Sequence, residues 1–201
     1  MRLGVLGGSF NPPHIGHLVV ASDAHEALKL DRLLIVPAFA NPLKPTDGRS
    51  PLPEQRLEMV RRAFGGDPRF EVSAMEIERG GLSYMVDTLE GLAAQNAGAE
   101  LTLLVGLDSF RTMDRWKRPE RIRELARIAV LTRRQDHDGQ RRDDVNLQSG
   151  VTIVTARRID VSSSEIRERL AAGKSIRGFV AESVEAFISA AKLYRSPAAA
   201  G

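Results

Sequence analysis

Six short runs rich in leucine and β-branched residues punctuate this chain, at Leu3–Leu6, Leu33–Val36, Phe70–Ser73, Leu101–Val105, Ile128–Leu131 and Val151–Val154. Helical patterns fill the first four gaps, over Ile15–Lys29, Pro53–Phe64, Met85–Gln95 and Pro119–Ala126. Such alternation predicts a doubly wound parallel sheet covered by helices on both faces, a Rossmann-like α/β fold with ligands at the carboxyl ends of the strands. The fifth gap, Gln135–Ser149, is polar, charged and broken by Gly139, and reads as a surface loop. Beyond Ile159 the pattern turns helical, over Ser163–Ala172 and Ala181–Ala191. The expected organisation is an α/β body over residues 1–160 with a small helical subdomain over 161–201, forming one structural unit.

Size and composition are compatible with that plan. A chain of 201 residues can bury a proper core, and 42% hydrophobic content is ordinary for a globular protein. The longest apolar run, Leu33–Ala40, contains Pro37 and falls well short of the roughly 20 residues that span a bilayer. No membrane partner is expected. Cysteine is absent, which excludes thiol catalysis and thiolate metal sites, and no secretory apolar region follows Arg2. A cytoplasmic location is expected. Net charge is only +3, but Arg111, Arg115, Lys117, Arg118, Arg121, Arg123 and Arg127 cluster in one segment. They read first as a solvated helical face, then as a rim attracting a phosphorylated small molecule, and last as an RNA surface; no nucleic-acid partner is expected. A homo-oligomer is compatible with the sequence, which does not fix the oligomeric state.

The chemistry concentrates in Gly7-Gly8-Ser9-Phe10-Asn11-Pro12-Pro13-His14-Ile15-Gly16-His17. Strand, glycine turn and helix start in that order predict a phosphate cradle. Gly7 and Gly8 would let the backbone approach an anion, and the new helix would aim unpaired N–H groups and its positive end at it. His14 and His17, three residues apart, share one face of the first turn and read as imidazolium donors. Farther on, Ser163-Ser164-Glu165 has the composition of a helix N-cap, and such exposed amides can also hold phosphate. Arg167 lies one turn later with a fork suited to phosphate oxygens.

These segments resemble the nucleotidylyltransferase superfamily, whose signature matches His14-Ile15-Gly16-His17 and whose second motif matches Val161-Ser162-Ser163-Ser164-Glu165-Ile166-Arg167. Within it, four stretches resemble bacterial nicotinate-nucleotide adenylyltransferases: Arg79–Leu89, Gly106-Leu107-Asp108-Ser109, Trp116-Lys117, and Ser175-Ile176-Arg177 through Leu193-Tyr194. The match runs from residue 2 to about 194. It implies transfer of AMP from ATP to nicotinate mononucleotide, with Mg²⁺ held mainly by substrate phosphates and no protein-built metal site. It implies catalytic roles for His14, His17, Lys44 and Arg167. Gly7, Gly8, Ser9, Phe10, Gly16, Gly106, Asp108, Ser163 and Ser164 would bind ATP; Asn41, Tyr84, Met85, Trp116 and Lys117 would bind the mononucleotide. Two positions depart from the family pattern: Leu43 stands where histidine is usual, and Met85 where threonine is usual. Phe10, Asp87, Thr88, Arg79 and Arg56 also carry a structural reading, as packing or helix-fixing residues. Class I tRNA synthetases share the first motif but need a lysine-rich second one, which is lacking here. Pantetheine-phosphate adenylyltransferases and cytidylyltransferases lack the Ser83–Leu89 and Trp116-Lys117 stretches. A noncatalytic nucleotide sensor would bind ATP without releasing pyrophosphate.

Overall fold

The structure, a computed structural model, describes residues 1–43, 50–133 and 150–195. Strands β1 (Arg2–Gly8), β2 (Arg32–Pro37), β3 (Phe70–Val72), β4 (Glu100–Gly106), β5 (Arg127–Arg133) and β6 (Val151–Ala156) form one parallel sheet in the order β3-β2-β1-β4-β5-β6. β1 and β2 read as continuous apolar runs because both of their faces are covered. On one face Ala21 and Ala24 of α1 (Ile15–Ala27) and Val60 and Phe64 of α2 (Pro53–Phe64) pack on Leu33, Ile35 and Leu104. On the other, Val86, Leu89 and Leu92 of α4 (Met85–Gln95) and Ile122 of α6 (Pro119–Leu125) cover Val5, Leu34, Leu103 and Val130. The strand order reverses between β1 and β4, and open sheets of this kind bind ligands beyond the carboxyl ends of the strands at such a point.

The last helices, α7 (Ser163–Ala171) and α8 (Glu182–Ala190), do not extend the sheet. Ile166, Val184, Ile188 and Leu193 instead pack on Met59 of α2. This docking brings the start of α7 back to the start of α1, where Ser163 Oγ donates to Pro12 O at 2.8 Å. Three short elements have no counterpart in the sequence reading: α3 (Met75–Arg79), α5 (Leu107–Arg111) and a 3-10 turn at Met113–Arg115. Five residues or fewer span under a turn and a half, too short for a helical repeat to register as a pattern.

Candidate active site

The glycines of the first motif do not form the turn that the sequence suggests. Gly7 and Gly8 are the last residues of β1, in register with Val36 and Pro37 of β2. A Cβ on Gly7 would lie 2.6 Å from the Met85 methyl, so this glycine makes room for a side chain from α4. The sharp bend falls at Phe10, in the left-handed region with φ 45°. Its ring is 3% exposed, edge-on to Phe64 at 6.3 Å and to His17 at 5.1 Å. Phe10 is thus a packing residue: its aromatic side chain backs His17 and has no open face for ATP. Ser9 is half-buried, and its carbonyl accepts from Arg56 Nη1 at 2.9 Å.

His14 occupies the N-cap position of α1, with extended backbone, and His17 is the third helical residue. Their half-buried rings stack with centroids 3.8 Å apart, tilted by 37°. The His14 backbone N–H donates to His17 Nδ1 at 3.1 Å. Nδ1 is therefore an acceptor, and the ring proton sits on Nε2. That bond leaves Nε2 as the ring nitrogen of His17 that can face a ligand. Gly16 is buried between the two histidines, and a Cβ there would come within 3.0 Å of His14 Nδ1. The expected fan of unpaired amides is also narrower than the sequence suggests. Ile15 N–H donates to Phe179 O at 2.9 Å and His17 N–H to His14 O at 2.9 Å.

The second motif closes over this loop. Ser162 caps α7, its Oγ accepting from Glu165 N–H at 3.1 Å. Ser163 reaches Pro12 O, while Arg167 donates from Nη1 to Asn11 O at 2.8 Å and from Nη2 to Ser164 Oγ at 3.2 Å. Asn11 is a junction that the sequence did not reveal. Its Oδ1 accepts from Tyr194 Oη at 2.7 Å, and its Nδ2 donates to Ser50 Oγ at 3.1 Å. Burial pushes the Tyr194 hydroxyl above its ordinary pKa, while Arg167 and Arg56 pull partly against it. No local pattern could show a bond across 183 residues.

On the facing side, Tyr84 is the N-cap residue of α4 and Met85 its first residue. The Met85 side chain fills the space beside Gly7, so the group it can offer a ligand is its backbone N–H. Trp116 is half-buried against the core, and its Nε1 is buried without a hydrogen-bond partner. Lys117 Nζ lies 3.0 Å from each Asp87 carboxylate oxygen and 4.5 Å from the Tyr84 ring centroid. Asn41 forms a local turn, its Oδ1 accepting from Leu43 N–H at 2.9 Å. Lys44 lies outside the described residues. Arg56 donates to Ala38 O and Phe39 O as well as Ser9 O, tying together the exits of β1 and β2. The structural reading of Arg56 holds; burial lowers its pKa. Arg79 likewise holds Thr88 Oγ1, at 3.2 Å.

β4 ends at Gly106, which is the N-cap residue of α5; Asp108 belongs to that short helix rather than to the strand end. Its side chain is fully exposed, 3.8 Å from Arg111 Nη1. In the basic segment, Arg118 and Arg121 pair with Glu90, Arg123 with Asp114 and Arg127 with Glu100. Exposed pairs of this kind contribute little stability, and they fit a solvated face. A hollow of about 330 Å³ lined by Glu100, Arg123 and Arg127 lies at the opposite, amino-terminal edge of the sheet. None of the histidine, serine or Arg167 donors lines it, and the carboxyl edge, where those donors gather, is the candidate site. Among the described residues no group of three or more His, Asp or Glu could hold a metal ion.

A parallel sheet of this order, with paired histidines on one helix start and a Ser/Arg motif on another, defines a nucleotidyltransferase-type α/β protein. The family model described as cytidylyltransferase-like matches residues 5–169. A protein of Gemmatimonas aurantiaca named "Probable nicotinate-nucleotide adenylyltransferase" is 48% identical over 198 residues, covering 97% of this chain and 93% of that one. A Thermus thermophilus protein of the same name is 40% identical over 195 residues, covering 97% and 100%. This chain belongs to the nicotinate-nucleotide adenylyltransferase family. A Plasmodium falciparum nicotinic acid mononucleotide adenylyltransferase complexed with NaAD superposes with TM-score 0.77 at 15% identity, over 96% of this chain and 97% of that one, a likeness of fold. Among the described residues no helix is long and apolar enough to cross a membrane.

Proposed function

We propose that this chain joins nicotinate mononucleotide to the AMP part of ATP, yielding deamido-NAD and pyrophosphate. The observation that carries the reading is the union of the two motifs: Ser163 and Arg167 bond the loop that leads into His14 and His17. The nucleophile is a phosphate monoester with a second pKa of about 6, so it is mostly dianionic at neutral pH. One of its oxygens attacks the α-phosphorus as the bond to the β-bridging oxygen breaks; pyrophosphate leaves, and no proton has to be removed. A direct in-line displacement needs no covalent intermediate. What remains for the protein is alignment and stabilisation of charge.

His17 Nε2–H and His14 are assigned to the ATP phosphates, with the start of α7 and the remaining guanidinium donors of Arg167. Trp116, Tyr84 and the Met85 N–H are assigned to the pyridine end of the acceptor. Mg²⁺ bound to ATP would supply charge neutralisation of the triphosphate. The test supplies ATP, Mg²⁺ and nicotinate mononucleotide and follows pyrophosphate and dinucleotide. Parallel arms replace the acceptor by nicotinamide mononucleotide or phosphopantetheine, and ATP by CTP. Dinucleotide formed best from ATP and nicotinate mononucleotide is the expected result; ATP binding without pyrophosphate release refutes catalysis.

A further inference from the structure

The chain just beyond α8 is strained. Lys192 and Tyr194 both lie in the left-handed region, with φ 52° and 62°, a conformation that side chains other than glycine and asparagine rarely adopt. Leu193 between them is buried in the cluster that holds Met59, Val184 and Ile188, and already anchors the segment. A glycine at 194 would take the same backbone without strain, so the tyrosine side chain has to make a contact that offsets it.

That contact is with the first motif. Tyr194 Oη donates to Asn11 Oδ1 at 2.7 Å, while its ring packs on the apolar cluster of α2, α7 and α8. Burial raises the Tyr194 pKa, and the neighbouring Arg167 and Arg56 work against the rise. The hydroxyl therefore keeps its proton, and stays a donor, throughout the neutral range. Asn11 is gripped at two further points: Arg167 Nη1 donates to its carbonyl at 2.8 Å, and its Nδ2 donates to Ser50 Oγ at 3.1 Å. The next carbonyl, Pro12 O, accepts from Ser163 Oγ at 2.8 Å, and α1 follows with His14 at its N-cap. Arg167 thus holds the main chain of the residue whose side chain Tyr194 holds. Rotation of Asn11 would break both bonds and shift the acceptor against which the Arg167 guanidinium is set.

We propose that Tyr194 is a positioning residue for the triphosphate half of the site: its hydroxyl holds Asn11 so that Arg167 and the loop entering His14 keep the orientation they present to ATP. This rests on the ATP assignment above and adds a group, 183 positions from Asn11, that fixes its geometry. A ring that merely packed would stabilise the helical subdomain and leave the donors where they are.

Tyr194→Phe keeps the ring and removes the donor. Loss of one net hydrogen bond corresponds to about 3- to 10-fold, expected as a fall in kcat/KM for ATP with the KM for nicotinate mononucleotide within about 2-fold. Asn11→Ala should fall at least as far, and adding Tyr194→Phe to it should change nothing more, because both variants remove the same bond. Val184→Ala, in the same apolar cluster, is the stability control: it should lower the urea midpoint and leave kcat/KM per folded molecule at the wild-type value. In substrate-free protein the backbone amide resonances of Asn11 and His14 should shift in Tyr194→Phe while those of α8 stay in place. Wild-type kcat/KM and unshifted Asn11 and His14 amides in Tyr194→Phe overturn the proposal. So do losses that multiply in the double variant, and so does a loss that only follows the folded fraction. If wild type forms no dinucleotide, the catalytic reading fails by itself. ATP dissociation constants and the two amides then decide: weaker binding with shifted amides in Tyr194→Phe supports the positioning role, and wild-type values overturn it.

Discussion

Gly16→Ala separates folding from function at the first motif. Gly16 is the second residue of α1, so alanine gains less there than the up to about 1 kcal/mol by which it is favoured over glycine in a helix interior. The added methyl, however, would sit 3.0 Å from His14 Nδ1 and 3.1 Å from Cε1. The imidazole must move by a few tenths of an ångström, and it already stacks on His17 at a centroid distance of 3.8 Å. Misplacing a catalytic group by 1 Å can cost about 100-fold, so a shift of this size should lower kcat by about 3- to 10-fold. Net stability should stay within about 1 kcal/mol of wild type, because the helix gain offsets the crowding. Gly91→Ala is the control. Its methyl would meet only the Met75 Cε, at 3.0 Å, the movable end of a flexible side chain. That variant should gain about 0.5–1 kcal/mol with kcat unchanged. Urea midpoints and steady-state kinetics at saturating ATP read both quantities. A Gly16→Ala enzyme with wild-type kcat, or one whose activity falls only with its folded fraction, would refute the argument that His14 is held in place by the missing methyl.

His17→Ala should lower kcat by about 10²–10³ while ATP affinity falls much less, and unchanged turnover would contradict the donor role. Trp116→Ala should raise KM for the mononucleotide and leave that for ATP nearly unchanged; the reverse pattern would move the indole to the ATP side. Gly7→Ala should cost less than about 1 kcal/mol, because its methyl would meet only Met85 Cε, the movable end of a flexible side chain, 2.6 Å away. Met85→Thr should be tolerated with nicotinate preference intact, and combined with Gly7→Ala it should recover part of the lost stability; strictly additive losses in urea would show that the two side chains do not compete for space.

The fold was legible where local physics repeats. Helices over Pro53–Phe64 and Met85–Gln95 match the sequence reading to the residue, because proline opens the first and apolar spacing runs unbroken through the second. Every strand also appears, extended by one or two residues at one or both ends, Phe70–Ser73 alone being shortened by one. The site was legible as a set of residue types and less so as an arrangement. His14 and His17 meet through a backbone-to-ring bond that a spacing of three permits but does not dictate. Gly7 looked like an anion cradle because glycine's freedom is visible in a sequence, whereas the Met85 methyl that needs the space is 78 positions away. Arg56 carries a structural reading in the sequence, and its bonds to the Ser9, Ala38 and Phe39 carbonyls show what that role is.

The geometry also explains why the second motif has to contain both a hydroxyl and a guanidinium. A loop that approaches a triphosphate carries carbonyl oxygens as well as amides, and a carbonyl left bare beside an anion repels it. Asn11 O and Pro12 O are the two carbonyls nearest in sequence to His14 that accept from side chains of α7: Arg167 takes the first and Ser163 the second. Each of these bonds removes an acceptor from the cradle while fixing the loop that sets His14. Arginine has five donors, so Arg167 can hold Asn11 O and Ser164 Oγ and still turn N–H groups toward phosphate. A lysine could neutralise charge but could not do these jobs in one fixed plane. On the proposed function the two motifs would act as one donor surface, with the helical segment beyond residue 160 completing it.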